Sequence, residues 1–263
     1  MAAMAAPEPT SPAEPIGPSP LVDRPTVGRT FTTGRRVRLG DVAPSGRLRL
    51  DATARYLQDV AGDDATPVMG ADAFTWIVRR TTIEVRRFPV FGEVLELTTW
   101  GSGTGSRWAE RRTSIVGEDG GSIEAASLWI YVDGETGRPR RLDETFLATY
   151  AEATGGRAVG ARLVHRDPPD RSLLRPGPDW SVRRTDLDLF GHVNNAQYWG
   201  VAEEAWNLDD VVLPWTAEVE HRDGLEPGQA VSVELGSERL WILGDDVVAA
   251  TIVATPAGAP PAG

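Results

Sequence analysis

The chain has 263 residues, of which 41% are apolar, enough to build one large domain or two of ordinary size around a proper core. Its formal charge of −11 excludes the basic footprint of a nucleic-acid binder, and the absence of cysteine excludes disulfides, thiolate metal ligands and a cysteine nucleophile. His165, His192 and His221 are the only imidazoles and are not spaced as a ligand set, so no metal site is expected.

Residues 1–27 are rich in Pro, Ala and Ser without periodicity and read as a disordered tail. The tail lacks the basic start and apolar stretch of a secretory signal, and no apolar run approaches membrane-spanning length, so a cytoplasmic protein is expected. Asp51 is placed to cap a helix in which Thr53, Leu57, Val60 and Ala61 form an apolar stripe. Strands follow over 74–87, 93–100, 107–116 and 123–132, rich in Val, Ile, Thr and Trp, with a turn at 133–137 and a short helix over 144–153. The Gly-, Arg- and Pro-rich stretch 155–178 reads as a linker between a domain over 28–154 and another over 179–255. Charge is uneven across it: residues 1–150 hold 18 Arg against 20 acids, whereas 151–263 hold 9 against 18.

The stretch from Thr185 to Trp206 carries the densest chemistry. Asp186, Asp188 and His192 sit beside Gly191, and Trp199, Ala202 and Trp206 then recur at helical spacing, predicting a helix over about 195–207 capped by Asn194 or Asn195. Asp188 and His192 therefore stand where a helix begins. The unpaired N–H groups and partial positive charge at such a place suit a carbonyl oxygen that becomes an oxyanion. Backbone N–H groups at Gly191 and Val193 are the candidates for that role, with Asp188 as the group that activates water or attacks directly. Strands are expected again over 216–222, 230–235, 239–243 and 247–254, followed by a disordered end over 256–263.

The chain also repeats itself. At an offset of 145, Val37-Arg38 matches Val182-Arg183, Asp41 matches Asp186, Gly46 matches Gly191, and Gln58-Asp59 falls on Glu203-Glu204. Beyond the helices the offset becomes 136, matching Ile83–Arg86 to Val219–Arg222 and Gly92 to Gly228. Each half thus predicts a strand, a helix and further strands, but Asp188 corresponds to Ala43 and His192 to Arg47, so the first half lacks both reactive side chains.

The string Asp188-Leu-Phe-Gly-His-Val-Asn-Asn-Ala-Gln-Tyr198 resembles the signature of hot-dog-fold thioesterases. With the stretch Trp76–Glu93, Thr99-Trp100, Ala126–Trp129 and Thr136–Leu142, the chain from about 28 to 255 resembles the acyl-acyl-carrier-protein (acyl-ACP) thioesterases of plants and bacteria. The resemblance implies an α+β tandem (double) hot-dog, antiparallel sheets each wrapping a central helix, and hydrolysis of acyl-ACP thioesters to free fatty acids without a cofactor. Acyl carrier protein and a fatty acyl thioester are the implied partners, with no nucleic acid and no membrane, in a monomer or a homodimer. The plant pattern Asp-x-Asn-x-His matches at Asp188 and His192, but its asparagine position is Phe190, and its later glutamate falls near Asp223-Gly224, where none stands. Asn194 and Asn195 are expected chiefly to hold the loop, and Glu204 matches a helix glutamate of the plant enzymes. Leu57, Val60, Trp76 and Ile77 are the candidates for lining an acyl pocket in the first half. The pairs Arg86-Arg87 and Arg111-Arg112, with Arg138, Arg140 and Arg141, are candidates for meeting an acidic carrier. A hot-dog acyl-CoA thioesterase and a non-catalytic acyl-binding protein are the competing readings.

Overall fold

A computed structural model describes residues 21–70 and 75–255. The expected disorder of residues 1–20 and 256–263 lies outside them, while within the rest of the tail the carbonyl of Val22 accepts a hydrogen bond from Arg112. Ten strands form one antiparallel sheet: β1 (Thr30–Arg36), β2 (Trp76–Arg87), β3 (Val94–Thr104), β4 (Trp108–Gly117), β5 (Ser122–Tyr131), β6 (Arg175–Pro176), β7 (Trp215–His221), β8 (Val231–Leu235), β9 (Arg239–Gly244) and β10 (Val247–Thr255). Their spatial order is β1-β3-β4-β5-β2-β7-β10-β9-β8-β6, so the first five strands in the order come from the first half and the last five from the second.

The seam between the halves is the antiparallel pair β2–β7. Its register sets Arg80 opposite Glu220, Thr82 opposite Glu218 and Glu84 opposite Thr216. Thr82 and Glu218 are repeat equivalents at the offset of 136, and the pairs on either side exchange when that offset is applied. A pseudo-twofold axis therefore passes between Thr82 and Glu218, whose side chains meet at 2.6 Å.

Helix α1 (Leu50–Met69) and helix α3 (Asn195–Ala205) pack on each other and share one core with the sheet. Leu50, Leu57 and Val60 of α1 and Tyr198, Trp199 and Ala202 of α3 are buried with Ile83, Leu97, Ile115, Val219 and Ile252. This is the strand-around-helix arrangement expected from the sequence. Asn194 caps α3, its side chain accepting from Ala196 N–H at 2.9 Å. Asp51 does not cap α1; Arg49 holds that position, and Asp51 sits in the first turn, where the helix dipole favours a carboxylate, gripping Arg49 and Arg55. A third helix, α2 (Glu144–Thr154), closes an aromatic group in which Tyr131, Trp76, Phe146 and Tyr150 lie 4.8–5.2 Å apart in succession.

The strand expected before the second helix is reduced to the two residues of β6. Pro176 and Pro178 flank Gly177 and have no N–H for a ladder, so pairing stops where it has barely begun. The preceding stretch is bound to β7 and β9: Val164 and His165 donate their N–H groups to the Glu220 carboxylate at 2.8 and 2.9 Å, and the Trp241 indole donates to the Arg166 carbonyl. Among the described residues no helix is long and apolar enough to cross a membrane.

Candidate active site

Asp188 and His192 close a tight turn. Asp188 N–H donates to the His192 carbonyl at 2.8 Å, Gly191 N–H donates to the Asp188 carbonyl at 3.1 Å, and Leu187 bridges Val193. Gly191 has φ +82°, a conformation that glycine adopts at little steric cost. The first half repeats the turn bond for bond, with Ala43 N–H to the Arg47 carbonyl, Gly46 N–H to the Ala43 carbonyl, Val42 bridging Leu48, and Gly46 at φ +87°. The offset found in the sequence is thus a backbone equivalence.

Only the second turn carries reactive groups. The Asp188 Oδ1 accepts from Phe190 N–H at 2.9 Å and His192 N–H at 3.3 Å, which fixes the carboxylate on its own turn and leaves Oδ2 without a hydrogen bond among the described residues. Asp188 is half-buried and His192 exposed, and both line a cavity of about 910 Å³. The second half contributes Phe190, Asn195, Tyr198, His221, Asp223 and Glu226 to its walls, and the first half contributes Trp76, Ile77, Arg79, Arg107 and Trp108. The first half fills the equivalent place beside Arg47 differently. There the guanidinium lies 5.0 Å over the ring of Phe88, whereas the equivalent of Phe88 is Gly224, which leaves room beside His192.

Trp76 and Ile77 line the cavity, but Leu57 and Val60 do not: both are in the shared core, on the α1 face turned to the sheet and α3. The expected oxyanion donors also fail. Gly191 N–H is spent on the Asp188 carbonyl, and Val193 N–H donates to the Leu225 carbonyl at 3.1 Å because the residue is pinned between its turn and the 223–226 loop. Asn195 N–H, the first of α3, has no partner among the described residues, and Asn195 lines the cavity. Asn194 is committed to the cap. Glu204 is exposed and outside the cavity; its neighbour Glu203 is half-buried and bound by Arg47 through two nitrogens, at 3.1 and 2.8 Å. Arg111 and Arg112 are interior groups, paired with Asp64 and Glu124, and do not form a surface. Arg86 is held by Glu84 at the end of β2 remote from Trp76, and Arg138, Arg140 and Arg141 belong to the loop whose Gly137 and Pro139 line the cavity.

Family models of acyl-ACP thioesterases match the chain twice, the N-terminal domain over residues 28–150 and the C-terminal domain over 177–239. The chain belongs to the acyl-ACP thioesterase family. It is therefore a thioester hydrolase. An uncharacterized protein of Mycobacterium tuberculosis is 32% identical over 240 residues, 89% of this chain and 95% of that one. The chloroplastic palmitoyl-acyl carrier protein thioesterase of Gossypium hirsutum is 26% identical over 208 residues, 71% of this chain and 48% of the cotton protein. Among solved structures, the 12:0-ACP thioesterase of Umbellularia californica superposes with a TM-score of 0.67 at 18% identity, covering 86% of this chain and 97% of that one. An acyl-ACP thioesterase of Bacteroides thetaiotaomicron gives 0.68 at 17% identity, covering 86% and 98%. These likenesses establish the double hot-dog fold.

Within this thioesterase fold the sequence reading missed Arg79, Arg107, Trp108 and His221 as cavity residues. Asp223 and Glu226 also line it, close to where the resemblance sought a glutamate. The repeat held a usable signal for these last two, since the 223–226 loop is the equivalent of 87–90, which bonds the first turn through Pro89. His221 is buried, its ring 4.9 Å edge-on to Tyr198, and burial with the nearby Arg79 charge pushes its pKa down to about 3. Burial pushes the Tyr198 hydroxyl up to about 12, and that hydroxyl accepts from Leu225 N–H at 3.3 Å. Both rings are neutral walls of the cavity at physiological pH.

Proposed function

We propose that the protein hydrolyses fatty acyl thioesters of acyl carrier protein, with Asp188 activating water and His192 orienting the thioester. The observation that carries this is the carboxylate anchored through Oδ1 alone, with Oδ2 free, beside His192 at the start of α3 in a large cavity. Water gives its proton to Asp188 as its oxygen attacks the thioester carbon, and collapse of the tetrahedral intermediate expels the carrier's thiolate, which takes the proton back. A positioned base contributes about 10²–10⁴ in rate and one oxyanion donor roughly 3 kcal/mol, which together suit an activated ester. The acyl chain lies against Trp76 and Ile77, and Arg138, Arg140 and Arg141, on the loop whose Gly137 and Pro139 line the cavity, meet the acidic carrier.

The test is turnover of palmitoyl carrier protein and palmitoyl-CoA by the wild type, Asp188→Asn and His192→Ala. The wild type is expected to favour the carrier substrate. Asp188→Asn is expected to lose at least about 100-fold in kcat. An Asp188→Asn protein turning over near the wild-type rate sinks the mechanism, and a preference for palmitoyl-CoA sinks the substrate assignment.

A further inference from the structure

The catalytic turn has an inactive twin in the same chain, and the twin is plugged by an anion. Glu203, on α3, reaches across to the start of α1: its Oε1 accepts from Leu50 N–H at 2.6 Å, and both of its oxygens are bound by Arg47. A carboxylate thus rests on the first N–H of a helix and on the side chain three residues earlier. Applying the offset of 145, Leu50 becomes Asn195, Arg47 becomes His192, and the position that sends the carboxylate, Glu203, becomes Gln58 on α1. Gln58 and Asn194, the cap of α3, line one cleft of about 570 Å³, which adjoins the start of α3 and is separate from the cavity lined by Asp188, His192 and Asn195. Gln58 is half-buried, its side chain makes no hydrogen bond among the described residues, and Asn195 N–H is likewise unfilled.

We propose that Gln58, supplied by the first half, is a positioning residue of the thioesterase centre: its neutral amide faces the start of α3 and keeps Asn195 N–H and His192 open for the substrate's carbonyl oxygen. The inference rests on the thioesterase reading given above. A carboxylate at this place is drawn to the positive end of the helix and competes with the developing oxyanion, as Glu203 occupies the equivalent place in the twin. A glutamine of the same size is not held there by charge and yields it. The two halves of the chain therefore differ at three linked positions: a carboxylate, Asp188, gained on the turn, a bulky cation exchanged for His192, and the plugging carboxylate exchanged for Gln58.

The experiment compares Gln58→Glu and Gln58→Met with the wild type in hydrolysis of palmitoyl carrier protein between pH 5 and 8, each rate divided by the wild-type rate at the same pH. Circular dichroism fixes a temperature at which all three are folded. Gln58→Glu is expected to lose at least about 100-fold in kcat at pH 8 and to lose progressively less toward pH 5, as the new carboxylate begins to be protonated. Gln58→Met is expected to lose less than about tenfold, with no pH trend in the ratio, because it adds no anion. A Gln58→Glu rate within threefold of wild type at pH 8 overturns the proposal, and so does a loss equal to that of Gln58→Met at every pH. Those results leave the thioesterase reading standing. A wild type that hydrolyses no acyl thioester removes both.

Discussion

His221 shows how a residue can be poised by burial rather than by a partner. Its ring is shut between Tyr198 and the sheet, Nε2 has no hydrogen bond, and burial with the Arg79 charge holds the pKa near 3 against an unfolded value near 6.5. The unfolded chain therefore binds a proton that the folded chain refuses, so this residue costs stability as pH falls from about 6.5 to about 3, at roughly 1.4 kcal/mol per pH unit. Above pH 6.5 it costs nothing through this route. Chemical denaturation at pH 7 and pH 4.5 measures the effect: His221→Phe is expected to shrink the wild-type stability difference between the two by about 2–3 kcal/mol. Equal pH dependence in the two proteins refutes it. At the same scale, the turn that sets Asp188 and His192 on the cavity was legible because a histidine and an aspartate around a glycine before a helical run form a local pattern. Gly191 and Val193 were misread as free donors because the fate of a backbone N–H depends on a carbonyl brought from elsewhere, here that of Leu225. Leu57 and Val60 were legible as apolar helix positions but not as to which face meets a cavity and which a core.

The two turns form a matched pair of elements in which small differences have large consequences. In the first, Phe91 N–H donates to the Gly46 carbonyl at 2.8 Å and clasps the turn to the loop before β3. The equivalent of Phe91 is Pro227, which has no N–H, so the second turn lacks that clasp. Amide hydrogen exchange of the segment 188–192 is expected to run at least about tenfold faster than that of 43–47; equal protection of both shows that the clasp is immaterial. The exchange of Phe88 for Gly224 has a different effect, since it sets the volume beside His192. An added Cβ at Gly224 meets no atom nearer than the His192 ring at 3.9 Å, and its φ is not positive, so the backbone tolerates a side chain. Gly224→Phe is expected to keep the melting temperature within a few degrees and to lower kcat/KM at least about tenfold by filling the cavity. Full activity in that variant places the substrate elsewhere. These equivalences were legible as an offset in the sequence, and the strand order ahead of each helix was read too evenly, because Pro176 and Pro178 stop β6 after two residues.

At the scale of the whole molecule, the question is what holds two halves as one sheet. The seam β2–β7 carries a buried charged group at the pseudo-twofold axis: Arg80 lies 3.9 Å from Glu218 and 3.7 Å from Glu220, and all three side chains are at most 7% exposed. Thr82 donates to Glu218, His165 Nε2 lies 3.2 Å from Glu218, and the N–H groups of Val164 and His165 bind Glu220, so the same carboxylates tie the segment between the halves to the seam. Such a group adds less than its ion pairs alone, because both charges were taken out of water, but losing one member strands the rest. Arg80→Met removes the guanidinium nearest two buried carboxylates while keeping most of the apolar stem. It is expected to cost about 3–5 kcal/mol in denaturant unfolding. Arg86→Met, on the same strand but in an exposed pair with Glu84, is expected to cost less than about 1 kcal/mol. Since the ladder runs without a break through all ten strands, the Arg80→Met loss is expected in one cooperative transition seen alike by tryptophan fluorescence and circular dichroism. Two separated transitions, or equal costs for the two substitutions, contradict a seam that joins the halves through this group.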